Sequence, residues 1–134
     1  MLLYIDSSAL IALAVASDAN HGAATTYFRE SLEEGSRFIL GRPVLVEYID
    51  GVTKRVSKRE AIRHLRALES SRVTRIEPET EEDHRQARKL FARYDDHSID
   101  LTDSISFSMM NRLQLPDVFT FDSDFKIHGF VCYP

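Results

Sequence analysis

Short runs of strand-forming residues recur along this chain with helix-period sequence between them: LLYI at 2–5, RFIL at 37–40, VTRI at 73–76, VFTF at 118–121 and FVCY at 130–133. Strands that alternate with helices, several of them apolar throughout, predict a mainly parallel sheet covered by helices on both faces. At 134 residues the chain matches the common size of one domain, and one domain over 1–134 is expected. It shows no repeat, low-complexity tract or interdomain linker.

The helical segments are set by periodicity and punctuation. After Asp6, Ser7 or Ser8 is placed to cap a helix carried by the following Ala/Leu pattern. From about Asn20 to Glu34, Ala23, Ala24, Tyr27, Phe28 and Leu32 recur at helical spacing, and Gly35 ends the segment. Pro43 suits the first position of a helix through VLVEYIDGV, which Gly51 weakens without ending. Ser57 to Glu69 turns Ala61, Ile62, Leu65 and Leu68 to an inner face. Pro78 and Thr80 open a helix with an Ala87, Leu90, Phe91 and Tyr94 stripe, and another runs from Leu101 or Thr102 to Leu113.

The lone Cys132 has no internal partner and the five histidines show no zinc spacing, which fits a reducing cytoplasmic setting. The N-terminal apolar stretch lacks a basic flank and is broken by Asp6, Ser7 and Ser8, so export is the weaker reading, and no segment has transmembrane length. The net charge of −4 is unevenly placed. Between Lys54 and Arg93 twelve basic residues stand against seven acidic ones, leaving five basic and fourteen acidic elsewhere. Lys54, Arg55, Lys58, Arg59, Arg63 and Arg66 fall at helix-like spacings that suit a phosphate backbone; a solvated helix face explains any one of them equally well.

Four acids occupy positions where a strand or helix end aims them at one point. Asp6 and Asp122 directly follow strands, and ligands in open parallel sheets gather at those carboxyl ends. Glu47 sits among apolar neighbours in VLVEYI, where a partly buried carboxylate needs a cation or donors. Asp103 lies in DLTDS and Asp124 in TFDSDF. Singly, each is explained as a cap, turn or first-turn acid, and Glu47 equally well as an exposed helix edge; converging carboxylates together point to a cation, because like charges repel unless one offsets them. Three or four carboxylates suit Mg2+ or Mn2+ and phosphodiester hydrolysis by a bound water. The chain has no G-x-S-x-G, G-x-x-x-x-G-K, G-x-G-x-x-G or H-E-x-x-H motif, and Ser8 stands where a phosphoaspartyl phosphatase has its second Asp.

With LYIDSSAL, VLVEYIDG, SIDLTDSISFSMMNRL and VFTFDSDFKIHGF in this order, the chain resembles the PIN-domain ribonucleases, and among them the small VapC-like toxins. The resemblance implies a three-layer α/β/α sandwich with four or five strands. It matches Asp6, Glu47, Asp103 and Asp122 to the family's four acids, with Asp124 as an accessory acid and Ser8 and Thr120 as supporting hydroxyls. Asp100 competes with Asp103 for the third position. It further implies Mg2+ or Mn2+ dependence, endonucleolytic RNA cleavage, a homodimer, and inhibition by a VapB-like antitoxin that lays a polar side chain into the acidic groove. Lys54, Arg55, Lys58 and Arg59 are candidate RNA contacts. The competing reading is a PIN-like RNA-binding or scaffold module with little or no cleavage.

Overall fold

A computed structural model describes residues 1–134. The chain runs β1 (Leu2–Ile5), α1 (Ser7–Ala14), α2 (His21–Glu33), β2 (Arg37–Gly41), α3 (Arg42–Arg55), α4 (Lys58–Glu69), β3 (Thr74–Glu77), α5 (Glu81–Arg93), α6 (Leu101–Arg112), β4 (Asp117–Phe119), α7 (Asp124–His128) and β5 (Val131–Tyr133). The five strands form one sheet in the order β3-β2-β1-β4-β5, and every pairing is parallel. The chain lays β2 and β3 down on one side of β1 and β4 and β5 on the other, so the order reverses at the β1–β4 seam. That seam is the switch point at which parallel sheets leave a crevice.

Helices cover both faces. Successive strand residues point to opposite sides, and Tyr4, paired with Val118, donates from Oη to Ser106 Oγ of α6 at 3.0 Å. The next residue of β4, Phe119, packs edge-on against Tyr27 of α2, whose neighbour Phe28 meets Phe38 of β2. α2 and α6 therefore lie on opposite faces, and the three-layer sandwich follows. The core between them is built from Leu3, Ile5, Phe38, Leu40, Phe107, Met109 and Phe119, all nearly inaccessible.

α6 is enclosed over most of its circumference, and its serines make this possible. Ser104, Ser106 and Ser108 are buried but satisfied: Ser104 Oγ donates to Asp100 O, Ser108 Oγ to Ser104 O, and Ser106 Oγ receives the Tyr4 hydroxyl. The same phenol sets the entry of α3. A Cβ built on Gly41, the N-cap of that helix, would lie 2.1 Å from Tyr4 Oη, so only glycine lets β2 pass into α3 here. One buried contact thus ties together β1, α3 and α6.

Several sequence expectations shift. Asp6 itself, not Ser7 or Ser8, caps α1, and Pro43 takes the second rather than the first helical position, after Arg42. β4 ends at Phe119 rather than continuing to 121, since Thr120 leaves the strand to bond with Asp6. Ile62 and Phe91, assigned to inner faces, are exposed; Ala61 and Ala87 bury the α4 and α5 faces instead, because small residues let these helices approach closely. Gly51 leaves α3 unbroken, and Gly35, at φ 86°, ends the turn after α2.

Candidate active site

The carboxyl ends of β1 and β4 open into a crevice of about 500 Å³ lined by seven carboxylate side chains, Asp6, Asp18, Glu47, Asp100, Asp103, Asp122 and Asp124, together with Ser7, Ser8, Ile11, Arg55 and Ser98. All five acids singled out in the sequence meet there. Arg55 is the single cation of the lining; Lys54, Lys58 and Arg59 stand outside it. A second depression of about 560 Å³ lies beside β2 and β3, lined by Leu2, Ile39, Leu68 and Ile76 among others. It gathers no carboxylate cluster and has no evident chemistry.

Asp6 is held most tightly. Its backbone N–H donates to Phe119 O at 3.0 Å across the seam, and the side chain is only 4% exposed. Ser8 Oγ and Thr120 Oγ1 donate to Oδ2 at 2.8 and 3.0 Å, with the Ser8 amide at 3.3 Å. These bonds all fall on Oδ2, which leaves Oδ1 for the crevice. Burial nonetheless outweighs them and raises the carboxyl above its ordinary range. The hydroxyls also brace the β4 exit: Phe121 N–H donates to Ser8 Oγ and Asp122 N–H to Thr120 Oγ1, each at 3.0 Å. Ser8 and Thr120 thereby fix Asp122 relative to Asp6.

Asp122 Oδ1 accepts from the Asp124 amide at 2.9 Å, which opens α7. Asp103 is the third residue of α6 in a reciprocal capping box: its N–H donates to Asp100 Oδ1 at 2.8 Å and Asp100 N–H returns to Asp103 Oδ2 at 3.4 Å. The capping role thus belongs to Asp100, while both acids line the crevice. Oxygens of Asp103, Asp122 and Asp124 lie within 4.8 Å of one another; Asp6 and Glu47 flank this trio. Burial first, and then the charges of Asp100, Asp6 and Asp122, push Asp103 up to about 8. Burial and Asp122 raise Asp124 as well.

Glu47 takes the exposed-edge alternative. Its apolar sequence neighbours turn inward, with Val44 and Tyr48 buried, and leave Glu47 on the exposed side of α3. Its carboxyl end still rests against α1, where Ser7 Oγ donates to Oε1. Partial desolvation, followed by the charges of Asp6, Asp100 and Asp122, holds its carboxyl above the usual carboxylate range. Ser7 is a site residue that sequence reasoning used only as a cap; Asp18 and Ser98 went unassigned. The signal for Ser7 was available, since Asp6 can cap its own helix and so free the next hydroxyl.

No histidine joins the cluster. His21 Nδ1 lies 2.7 Å from Ala12 O, and His64 and His128 pair through Nδ1 with Tyr48 and Tyr94 at 2.6 Å each. The donor set is therefore entirely hard oxygen. Excess negative charge with hard donors fits a hard, oxygen-seeking divalent cation better than a Cys/His zinc site or a nucleophilic triad.

A family model of the PIN domain matches residues 3–131. The chain belongs to the PIN-domain family. It is 28% identical over 132 residues to the 23S rRNA-specific endonuclease VapC20 of Mycobacterium tuberculosis, covering 97% of this chain and 96% of that protein. The crystal structure of VapC20, described as a sarcin-ricin loop cleaving toxin, superposes with a TM-score of 0.87 at 27% identity, over 98% of this chain and 97% of the other. VapBC2 of Rickettsia felis, solved on a DNA fragment of its promoter, shares the fold at a TM-score of 0.71 and 16% identity, over 98% and 97% of the two chains. No helix of this PIN domain is long and apolar enough to cross a membrane.

Proposed function

We propose that this PIN-like domain, residues 1–134, is a metal-dependent endoribonuclease that hydrolyses RNA phosphodiester bonds as the toxin of a type II toxin–antitoxin pair. The observation that carries this reading is a cluster of seven carboxylates at the β1–β4 seam with a single cation, Arg55, in its lining. Asp6, Glu47, Asp103, Asp122 and Asp124 would hold Mg2+ or Mn2+. Such an ion supplies charge neutralisation at the phosphate and an activated water.

The remaining chemistry belongs to the chain. Ser8 and Thr120 orient the Asp6 carboxylate, and the Asp100 cap orients Asp103. Glu47, tethered through Oε1 by Ser7, keeps Oε2 to accept a proton from the attacking water. Arg55 at the rim receives an RNA phosphate and draws the strand over the acids, with Lys54, Lys58 and Arg59 continuing the contact. A VapB-like antitoxin that inserts a basic or polar side chain fits the same uncompensated charge, and a homodimer acting in the cytoplasm completes the reading.

The test uses purified, partner-free protein and Asp6→Asn with ribosomal RNA, each with EDTA, Mg2+ or Mn2+. Ribosomal RNA comes first because VapC20 acts on 23S rRNA. Cutting by the wild type alone, and only with metal, is expected. Cutting that persists in EDTA would overturn the metal-dependent mechanism, and metal binding without cutting of any RNA would favour an RNA-binding module.

A further inference from the structure

We infer that the outer face of α4 out to Arg63 and Arg66 is a docking strip for the sugar–phosphate backbone of an RNA stem, which holds a structured substrate while its unpaired segment enters the acidic crevice. This rests on the nuclease reading above and adds to it a second contact site and a substrate shape.

The face is defined by spacing and exposure. Lys58, Arg59, Ile62, Arg63 and Arg66 lie at helical intervals of one, three, one and three residues, form one stripe and line a shallow depression of about 540 Å³. Ala61, with Leu65 and Leu68, takes the opposite, core-facing side of the same helix. All four cations are exposed, and only Arg63 has an acidic partner, Glu60, which also lies 3.5 Å from His64. Lys58, Arg59 and Arg66 have none. A helix surface that merely needs solvating usually mixes its signs at three- and four-residue spacings; this stripe carries four positive charges, of which only Arg63 is paired, and no acid lines the depression.

The strip is continuous with the crevice. Arg55, in the last turn of α3, lines the acidic pocket, and three residues later Lys58 begins α4. From Lys58 to Arg66 the helix advances roughly 12 Å, which spans more than one phosphate of a strand. The composition also selects the kind of RNA. No Phe, Tyr or Trp stands on this face, so it offers no platform on which unpaired bases stack. Point charges and guanidinium forks read backbone shape instead, as for the A-form helix, whose bases are hidden in a deep groove.

The experiment compares wild type, Arg63→Gln/Arg66→Gln and Arg63→Lys/Arg66→Lys. Binding of an RNA hairpin is followed by fluorescence anisotropy in EDTA across a salt series, and cleavage with Mg2+ or Mn2+ is followed on a hairpin and on a short single strand with the same loop sequence. The glutamine variant should weaken hairpin binding by roughly tenfold at moderate salt. Its log–log salt slope should fall by about 1.4 to 1.8, the loss of two phosphate contacts. The lysine variant should restore both, since charge rather than a fork is required. In cleavage, KM for the hairpin should rise while the single strand is cut as by the wild type. Hairpin binding and salt slope unchanged by the glutamine pair would overturn the strip, as would equal weakening on both RNAs. Retained hairpin binding with loss of an acidic protein partner would overturn it too and reassign the face to protein. Failure of the wild type to cleave with either metal would count against the nuclease reading alone, and the binding series would still decide the strip.

Discussion

The two ends of the α5–α6 pair are built from the same local device and left in opposite electrostatic states. α5 opens with a reciprocal capping box between Thr80 and Asp83, and α6 with one between Asp100 and Asp103. Asp83 is 2% exposed, and Arg112 in the last turn of α6 donates Nε to both of its oxygens at 2.9 and 3.1 Å, with Nη2 in ion-pair distance of Oδ2 at 2.9 Å. Burial acts to raise this carboxyl; the Arg112 bonds and the Thr80 amide more than offset it and hold the group below the usual carboxylate range. Asp103 has the cap but no cation, and its neighbours are other acids. A carboxylate whose role is structural is given its counter-charge within the fold. One denied it at a switch point is suited to a cation from outside.

The sharpest way to break this contrast is to neutralise each acid in turn. Asp103→Asn should lower RNA cleavage at saturating metal by more than about 100-fold, or roughly 3 kcal/mol of barrier, while leaving metal-free denaturation midpoints unchanged or higher. Cleavage within tenfold of the wild type would remove Asp103 from the site. Asp83→Asn should do the reverse and destabilise the fold by about 1 to 3 kcal/mol, because the ion pair at the buried Asp83 is lost and Arg112, one third exposed, keeps only Glu77 at 3.6 Å. Chemical denaturation would measure this, and a loss below about 0.5 kcal/mol would show that the bridge is ornamental.

A smaller effect probes the support beneath the acids. Gly41→Ala drives a methyl into Tyr4 Oη and should cost about 1 to 3 kcal/mol, partly relieved in the double variant with Tyr4→Phe. The double-mutant coupling is the readout, and additive losses would separate the two residues. Smallest of all is the pH response of the metal-free protein. Asp103 has a folded value of about 8 against an ordinary 3.8. The folded state therefore holds a proton that the unfolded state has released, and this contribution is complete below about pH 4 and lost as pH rises toward 8. Between pH 6 and 8 the wild type should lose about 1 kcal/mol, allowing for solvent screening, and Asp103→Asn should flatten that slope. Asp83 has the opposite sign: its stabilisation is present above the ordinary carboxylate value and lost as pH falls through its lowered folded value. Mg2+ or Mn2+ should raise the midpoint more at pH 8 than at pH 6, because cation and proton compete for the same oxygens.

Much of this crevice is legible in the sequence, because its acids sit at punctuation. Asp6 ends an apolar strand, Asp100 and Asp103 open a helix, and Asp122 follows another strand; strand and helix signals are local and survive in one dimension. Glu47 was legible as a residue but not in its environment. An apolar neighbourhood in sequence does not bury a helical side chain, since Val44 and Tyr48 turn to the core at the spacing that leaves Glu47 outside. Ile62 and Phe91 were misplaced for a related reason: the inner stripe of a helix spans more positions than contact with its neighbours requires, and the alanines took those contacts.

The order of residues by itself determined the alternation of strands and helices, the parallel sheet that such alternation demands, and the set of acids at strand and helix ends. Only the tertiary structure decided that β4 lies beside β1, that Arg112 serves Asp83 and not Asp103, and that the Ser8 and Thr120 hydroxyls converge on one oxygen of Asp6. The physical reason is range. Propensity and capping act within about four residues, whereas charge compensation depends on which side chains packing brings within hydrogen-bond distance, and here those partners stand 29 and 114 residues apart.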